Sequence, residues 1–236
     1  MPKLGTGYGG WWVPQDAALG RDSFVVSAGV GEDISFDVAL QTAAGCRILL
    51  LDPTERAARH VEEVRAWYEA AEGSKPAFTG SVQPDYEPWL KSSSPDWGRI
   101  EFKPVGLWSE RATMKFYKQD NPLYVSQSLV PGLFSGKEYT LAQVDCLSRI
   151  LPAGQRIDLL KLDIEGAEMP VLDLLLHEAQ MGLTTLPRLL CVEFDAFLKG
   201  KDAGGHRTGL MMHRLAVAGY RTVHEDNWNV TFQLRT

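Results

Sequence analysis

The sequence predicts an α/β fold of Rossmann-like type, in which a mostly parallel sheet carries helices on both faces. Two observations predict it. Short apolar runs alternate with segments of helical period in the first half of the chain, and two strand-like segments separated by a turn stand near its end. Alternating strands and helices are typical of parallel βαβ units, and the closing pair indicates an antiparallel hairpin at one edge of the sheet.

The first predicted strand, residues 24–28, leads into a glycine turn and a helix. Its mostly apolar character indicates a buried strand. Gly29 and Gly31 allow the backbone to turn sharply and to approach a ligand closely. Asp33 is a suitable N-cap for a helix that extends to about Ala44.

The second predicted strand, residues 47–51, ends at the dipeptide Asp52-Pro53. Thr54 is placed to cap the next helix, in which apolar residues recur with a 3.6-residue period up to residue 71. These two strand-helix pairs predict the beginning of a parallel sheet.

Residues 73–99 interrupt this alternation with four prolines and a run of three serines. Loops of this length are unusual in compact domains. We therefore expect a Pro- and Ser-rich surface insertion within one domain, residues 1–236. A Gly- and Trp-rich segment, residues 1–20, opens that domain.

The second half of the chain is predicted to contain further strands and helices. Residues 140–143 match a capping box and predict a helix that continues to about Leu151. Further strands are predicted at residues 100–108, 112–117, 123–128, 157–162, 189–192, 220–225 and 230–234. Further helices are predicted at residues 167–176 and 208–219.

An acidic cluster of Asp163, Glu165 and Glu168 follows the apolar run 157–162 directly. Open α/β sheets bind their ligands at the carboxyl ends of strands. The cluster therefore indicates a site, although carboxylates are also favourable at the N-terminus of the helix that follows. We expect Asp163 to belong to the site and Glu168 to be a helix-terminus charge.

The residues around the glycine turn argue against a dinucleotide. A dinucleotide fingerprint requires a third glycine at position 34, which is Ile34 here. Glu32 and Asp33 place negative charge where a pyrophosphate would lie. Asp52, at the end of the second strand, is placed to accept hydrogen bonds from ribose hydroxyls. An adenosyl ligand with a cationic centre and no phosphate, S-adenosylmethionine, satisfies all three observations.

The composition of the chain restricts its expected partners and its expected cellular compartment. The net charge is −6 and lysines and arginines form no block, so we expect no nucleic-acid partner. Cys46, Cys146 and Cys191 are widely spaced in apolar surroundings and are expected to pack in the core, as in a reducing compartment. No apolar segment is long enough for a membrane span, so a soluble, cytoplasmic protein is expected. Oligomeric state stays open.

The segment Leu159–Glu168 resembles the signature of FkbM-type S-adenosylmethionine-dependent methyltransferases, and Thr140-Leu141 before it matches the arrangement of that family. Residues 9–13 and 27–36 are similar to the methyltransferase-like 24 subgroup. The resemblance covers most of the chain from Gly9 onward. It implies the class I methyltransferase fold, with seven strands, and O-methylation of a hydroxyl on a sugar, glycolipid, natural product or other small molecule.

The resemblance also implies which residues bind the cofactor. Ser27 replaces the acidic residue that the family has two places before the first glycine, so Glu32 or Asp33 is expected to contact the methionine part. Gly106 and Leu107 are expected to border the adenine. The full cofactor set is Ser27, Gly29, Gly31, Glu32, Asp33, Asp52, Pro53, Gly106 and Leu107.

A hydroxyl acceptor must lose a proton as the methyl group is transferred. We assign this to Asp163 first and Glu165 second, with Lys161 as a partner of Asp163. A magnesium-assisted version, with Asp163, Glu165 and Glu193 or Asp195 as oxygen ligands, is an alternative.

Acceptor contacts are expected from the strand end at Glu193 and Asp195 and from Trp11 and Trp12, whose aromatic faces suit carbohydrates. A stapling role of the tryptophans against the core is equally compatible with the sequence. A catalytically silent adenosyl-binding protein and an NAD-dependent oxidoreductase are the rival functions.

Overall fold

The computed structural model describes residues 2–80, 82–118, 127–129, 138–194 and 205–235. Asp195 and the predicted turn at residues 120–122 lie outside these ranges. The strands are β1 (Lys3–Leu4), β2 (Trp11–Trp12), β3 (Phe24–Ala28), β4 (Arg47–Leu51), β5 (Ile100–Lys103), β6 (Gly106–Leu107), β7 (Ala112–Lys118), β8 (Gln127–Ser128), β9 (Tyr139–Asp145), β10 (Leu159–Leu162), β11 (Leu189–Glu193), β12 (Tyr220–Asp226) and β13 (Asn229–Leu234).

The α-helices of the described ranges are α1 (Ser35–Ala44), α2 (Glu55–Glu69), α3 (Tyr86–Lys91), α4 (Leu147–Ile150), α5 (Glu168–Gln180) and α6 (His206–Val217). The predicted cap of α2 is confirmed, since the Thr54 hydroxyl accepts a hydrogen bond from the Ala57 backbone N–H at 3.2 Å. Helix α1 begins one residue later than predicted, with Ile34 at the N-cap. No helix within the described ranges is long and apolar enough to cross a membrane.

Seven strands form the main sheet in the order β12-β13-β11-β10-β3-β4-β5. Strands β11, β10, β3, β4 and β5 pair in parallel, whereas β13 is antiparallel to both of its neighbours, β11 and β12. This order, with a C-terminal hairpin at one edge, confirms the predicted Rossmann-like class I fold. The central position of β3 and β10 explains their mostly apolar sequences, because every residue of both strands is buried.

Helices cover both faces of this sheet. Alternate strand residues point to opposite faces, so Val26 and Leu160 pack with α5 and α6, while Val25 and Leu159 pack with α1, α2 and α3. The three cysteines are buried and unpaired with one another, as predicted from their apolar surroundings.

A second sheet in the order β6-β9-β7-β8 corrects the prediction of a helix from Thr140 to Leu151. Residues 139–145 instead form β9, which pairs with β7 along its whole length. Its side chains alternate between the two faces, so that Ala142 and Val144 are buried and Leu141 is 67% exposed. Pairing with β7 overrode the local capping-box pattern, and only the four-residue helix α4 follows.

The predicted strand 100–108 is also divided. Residues 100–103 pair with β4 in the main sheet, and residues 106–107 pair with β9 in the second sheet. Pro104, which lacks a backbone N–H, stands at the break between them.

The insertion at residues 73–99 is less superficial than predicted, because it contributes to the core. Tyr86 and Leu90 of α3 are fully buried. The Tyr86 hydroxyl lies 2.6 Å from Nε2 of the buried His60 and accepts a hydrogen bond from the Ile34 backbone N–H. The insertion therefore fixes α2 and the start of α1 against each other.

Candidate active site

A cleft opens at the carboxyl ends of β3, β4 and β10, between these strands and the second sheet. It encloses about 810 Å³ of space including its open mouth. Its walls comprise Tyr8, Gly9, Gly29, Val30, Gly31, Glu32, Asp33, Leu51, Asp52, Pro53, Thr54, Gly106, Leu107, Phe116, Gln127, Leu129, Lys161, Asp163, Ile164 and Glu165.

The glycine turn after β3 lies directly against the acidic loop after β10. Gly29 has a φ of +77°, and a Cβ atom at this position would lie 1.6 Å from the backbone oxygen of Asp163. Gly31 has a φ of +52° but has no heavy atom within 4 Å of the equivalent Cβ position. Both positions favour glycine through their backbone conformation, but only Gly29 requires it for packing as well.

Asp52 lies at the end of β4 and is 6% exposed. Its Oδ2 accepts a hydrogen bond from the Gly31 N–H at 3.1 Å, and its Oδ1 accepts from the Thr54 N–H and hydroxyl at 2.9 and 2.7 Å. Burial raises the pKa of this carboxyl, although these hydrogen bonds favour its ionised form. The carboxylate thus links the glycine turn to the start of α2 and lines the cleft at the same time.

Glu32 lines the cleft while its carboxylate is paired with a cation. The Arg56 guanidinium binds it in a bidentate manner, with Nε–Oε1 and Nη2–Oε2 distances of 3.0 and 2.8 Å. The Glu32 side chain is only 3% exposed. Arg56 therefore compensates a charge that would be costly to bury alone.

Asp33 fastens the N-terminal hairpin, β1 and β2, to the cleft. Its Oδ2 accepts a hydrogen bond from the Thr6 hydroxyl at 2.6 Å, and the backbone of Gly9 approaches the carboxylate so closely that a Cβ would lie 2.6 Å from Cγ. The Thr6 N–H in turn donates to the Ser35 hydroxyl. The hairpin is thereby fixed at the mouth of the cleft.

Lys161 and Asp163 form an ion pair on the floor of the cleft. The Lys161 Nζ lies 3.2 Å from Oδ2 of Asp163 and donates to the Gly29 carbonyl at 2.8 Å. Burial opposes the charged ammonium, but Asp163 and the buried Asp37 raise the pKa of Lys161. Lys161 is therefore charged and joins the two loops that sequence analysis placed at the site.

The acidic loop has a constrained backbone. Glu165 has a φ of +54°, a left-handed conformation that is uncommon for a residue other than glycine. The Ser128 hydroxyl of β8 donates to the Glu165 carbonyl. Strained conformations persist where surrounding contacts enforce them, and they cluster at functional sites.

Glu168 does more than the helix-terminus role predicted for it. It is the first residue of α5 and is 1% exposed. Its two carboxylate oxygens accept hydrogen bonds from the N–H groups of Ile164 and Gly166, at 2.8 and 2.9 Å. Burial, followed by the nearby Asp163 and Glu165, raises the pKa of Glu168 to about 8. Glu168 is thus a positioning residue for the acidic loop.

Asp37 is a buried carboxylate of α1 that sequence analysis missed. It is 1% exposed. Burial raises its pKa to about 6, while the charge of Lys161 lowers it. A polar residue within a helix gave no sign of this placement, because the electrostatic interaction with Lys161 exists only once α1 packs on the sheet.

Tyr8 stands at the tip of the N-terminal hairpin, at the mouth of the cleft. Desolvation and then the negative charges of Asp163, Glu165, Glu193 and Asp33 raise the pKa of its phenol to about 12. The residue is nevertheless 62% exposed, because it stands at the mouth of the cleft. The phenol stays protonated and faces an acidic side of the cleft.

Several residues predicted from the sequence lie away from the cleft walls. Ser27 is fully buried in β3, and Trp11 is buried in the core. Trp12 stacks on His224, with ring centroids 4.6 Å apart. Glu193, at the end of β11, does not line the cleft but is close enough to act on Tyr8. Asp195 lies outside the described residues.

The structure therefore brings together the other predicted residues, namely Gly29, Gly31, Glu32, Asp33, Asp52, Pro53, Gly106, Leu107, Lys161, Asp163 and Glu165. It adds Tyr8, Phe116, Gln127 and Leu129, which come from the hairpin and the second sheet. Among the described residues, no group of three or more His, Cys, Asp or Glu side chains is arranged to hold a metal ion.

Comparison with known proteins gives one family over most of the chain. The family model of the methyltransferase FkbM domain matches residues 17–222. No curated protein is detectably similar in sequence.

Two solved structures show similarity to the chain. The first is the crystal structure of a fibrillarin/Nop5p complex. The similarity covers 92% of this chain and 75% of the chain in that complex, with 10% sequence identity and a TM-score of 0.44. The second is the N,N-8-amino-8-demethyl-D-riboflavin dimethyltransferase RosA from Streptomyces davawensis. The similarity covers 92% of this chain and 50% of the RosA chain, with 12% sequence identity and a TM-score of 0.39.

Proposed function

Since the chain belongs to the FkbM methyltransferase family, and is therefore an S-adenosylmethionine-dependent methyltransferase, we propose that it methylates a hydroxyl group. The acceptor in this proposal is a sugar, a glycan, a natural product or another small molecule. The observation that carries it is the position of Asp163, a carboxylate on the cleft floor that is fixed by Lys161 and by the loop around it.

The residues present in the cleft fit the cofactor. Gly31 leaves open space beside the backbone, and Asp52 presents a carboxylate next to it. Oδ2 of Asp52 accepts only the hydrogen bond from Gly31, so its second lone pair can still accept from a ribose hydroxyl. Gly106 and Leu107 form the apolar wall at which the adenine would lie. When bound, S-adenosylmethionine supplies an electrophilic methyl group on a cationic sulfur.

The side chains of the acidic loop supply the proton acceptor. Methyl transfer is an in-line displacement, so orientation of the acceptor contributes much of the rate. The acceptor hydroxyl loses its proton as its oxygen forms the new bond. Asp163 accepts this proton through Oδ1, because Oδ2 faces the Lys161 ammonium at 3.2 Å. Glu165, in the same loop, is the second candidate.

The acceptor enters between the N-terminal hairpin and the acidic loop. Tyr8 is the aromatic side chain at this mouth, in place of Trp11 and Trp12. The Tyr8 phenol has its pKa raised to about 12 and so presents a neutral O–H donor to the acceptor. Glu193 adds negative charge on the same side, which favours a polyhydroxylated acceptor over an anionic one.

The test is the replacement Asp163→Asn. We expect turnover to be lost while binding of S-adenosylhomocysteine, measured by calorimetry, changes little. Turnover is measured as transfer of a labelled methyl group to hydroxylated metabolites and glycans. Asp173→Asn, an exposed carboxylate of α5, is the matched control and should leave both quantities unchanged. Undiminished turnover of the Asp163→Asn protein would refute the assignment.

Two further measurements address the rival functions. Calorimetry with NAD should give no binding heat, because Ile34 occupies the position of the third glycine of a dinucleotide fingerprint. A magnesium-assisted reaction through Asp163 and Glu193 predicts loss of activity after exhaustive chelation and recovery on adding magnesium. We expect activity to survive chelation.

A further inference from the structure

A second groove lies at the opposite end of the main sheet from the cleft, where the parallel strands β10 and β11 begin. It is bounded by the segments that precede β10, β11 and β12 and by the end of β13, and it encloses about 1540 Å³ including its open side. Its floor is apolar. Leu176 is buried, and Leu186, Ala218 and Leu234 are partly buried against the core.

The charged side chains that line this groove are basic. They are Arg156, Arg214 and Arg235, and none of the described lining residues is an aspartate or glutamate. The whole chain has a net charge of −6, so the groove departs from the average of the surface. Within the described part of the chain, Arg214 pairs with Asp173, while Arg156 and Arg235 form no ion pair.

Exposed apolar side chains flank the same groove. Val217, at the end of α6, lines it and is 75% exposed. Met181 and Leu183, in the turn after α5, are 64% and 74% exposed and lie between lining residues 180 and 184. Exposed apolar patches with a polar rim are typical of interaction sites in soluble proteins.

We propose that this groove binds an acidic, amphipathic segment of a partner protein. Apolar side chains of the segment would contact Leu186, Leu234 and Val217, and its carboxylates would pair with Arg156 and Arg235. An amphipathic helix in an apolar groove is a recurring mode of recognition. The concave shape favours a peptide segment over a flat bilayer. The groove is on the far side of the sheet from the cleft, so the proposal does not depend on the methyl-transfer chemistry.

The experiment uses fluorescence anisotropy with the full chain and a labelled amphipathic peptide of leucine and glutamate. A peptide of the same pattern with lysine in place of glutamate is the charge control. We expect saturable binding of the glutamate peptide that weakens with salt. Binding of the lysine peptide should be at least about tenfold weaker, which corresponds to about 1.4 kcal/mol.

Substitutions in the groove test whether the glutamate peptide binds there. Arg156→Glu combined with Arg235→Glu should weaken binding of the glutamate peptide at least about tenfold, which corresponds to about 1.4 kcal/mol. The matched control, Arg65→Glu combined with Lys91→Glu, reverses two exposed charges away from the groove and should leave affinity unchanged. Val217→Ser removes an exposed apolar contact and should also weaken binding. All these side chains are exposed, so we expect each variant to fold. Thermal unfolding of each variant checks this.

Four results would overturn the proposal. Equal affinity for the two peptides, or an affinity that the groove variants do not change, would show that the groove does not select an acidic segment. Co-sedimentation with phosphatidylcholine–phosphatidylserine vesicles, abolished by the groove variants and without peptide binding, would assign the surface to a membrane. A dimer in sedimentation equilibrium that the same variants dissociate would assign it to a second copy of this chain.

Discussion

Replacing Gly29 with alanine tests the contact between the glycine turn and the acidic loop, and Gly31→Ala is its matched control. Both positions have a positive φ, which costs an L-residue about 1–2 kcal/mol. At Gly31 this is the whole expected cost, because no heavy atom lies within 4 Å of the new Cβ. At Gly29 the Cβ would lie 1.6 Å from the Asp163 carbonyl oxygen, whereas real contacts are not below 3.0 Å.

The two loops must therefore separate in the Gly29→Ala protein by about 1.4 Å, the difference between 3.0 and 1.6 Å. That movement weakens the hydrogen bond from the Asp163 N–H to Ala28 and the one from Lys161 to Gly29, at 3.1 and 2.8 Å. Each bond contributes about 0.5–1.5 kcal/mol. With the backbone term, we expect a total loss of about 3 kcal/mol or more.

Thermal unfolding without ligand measures both variants. At about 2–4 °C per kcal/mol for a chain of this size, Gly29→Ala should lower Tm by at least about 6 °C. Gly31→Ala should lower it by about 2–8 °C, from its smaller cost of about 1–2 kcal/mol. Calorimetry with S-adenosylhomocysteine should show the larger loss of affinity for Gly29→Ala as well. If Gly29→Ala is as stable as Gly31→Ala, the contact does not constrain the acidic loop and the reasoning is wrong.

Two further predictions concern buried carboxylates. The folded protein raises the pKa of Glu168 to about 8, so the unfolded chain ionises first. Stability of the wild type should therefore fall relative to Glu168→Gln as pH rises from about 4.5 to about 8, measured by urea unfolding. A constant difference across this window would contradict the raised pKa. Arg56→Ala leaves the buried Glu32 without its bidentate partner and should cost about 3 kcal/mol, whereas Arg65→Ala breaks only an exposed pair with Glu69 and should cost about 0.5 kcal/mol or less. Denaturant midpoints check both, and similar losses would contradict the difference in burial.

The sequence was sufficient for the main sheet, because its strands and helices carry their own periodicity. Strand β3 is apolar except for Ser27, and Thr54 caps α2 as predicted. Residues 139–145 were mistaken for a helix because a capping-box pattern is local, whereas pairing with β7 depends on residues about 30 positions earlier in the chain. The alternation of Ala142 and Val144 with exposed neighbours was the signal that would have identified a strand.

The residues of the candidate site also differ in how well the sequence predicts them. The sequence could predict that Asp52 and Asp163 lie at the cleft, because the fold class fixes where strands end. Tyr8 was missed because only the hydrogen bonds of Thr6 to Asp33 and Ser35 bring the hairpin to the cleft. The position of Glu168 in the first turn predicted a helix charge, and nothing local showed that its carboxylate would turn back to Ile164 and Gly166.

The position of β13 has a consequence for how this protein is made. It is synthesised after every other strand of the main sheet, yet it lies inside the sheet, between β11 and β12. The Thr231 hydroxyl of β13 also donates to the Trp12 carbonyl at 2.9 Å, so the N-terminal hairpin is anchored by a residue that lies 219 positions further along the chain. On the ribosome, the wall that carries Tyr8 therefore cannot gain this anchor until β13 has emerged. Pairing between such distant segments is slow, so we expect the nascent chain to become competent for catalysis only after β13 has emerged and paired.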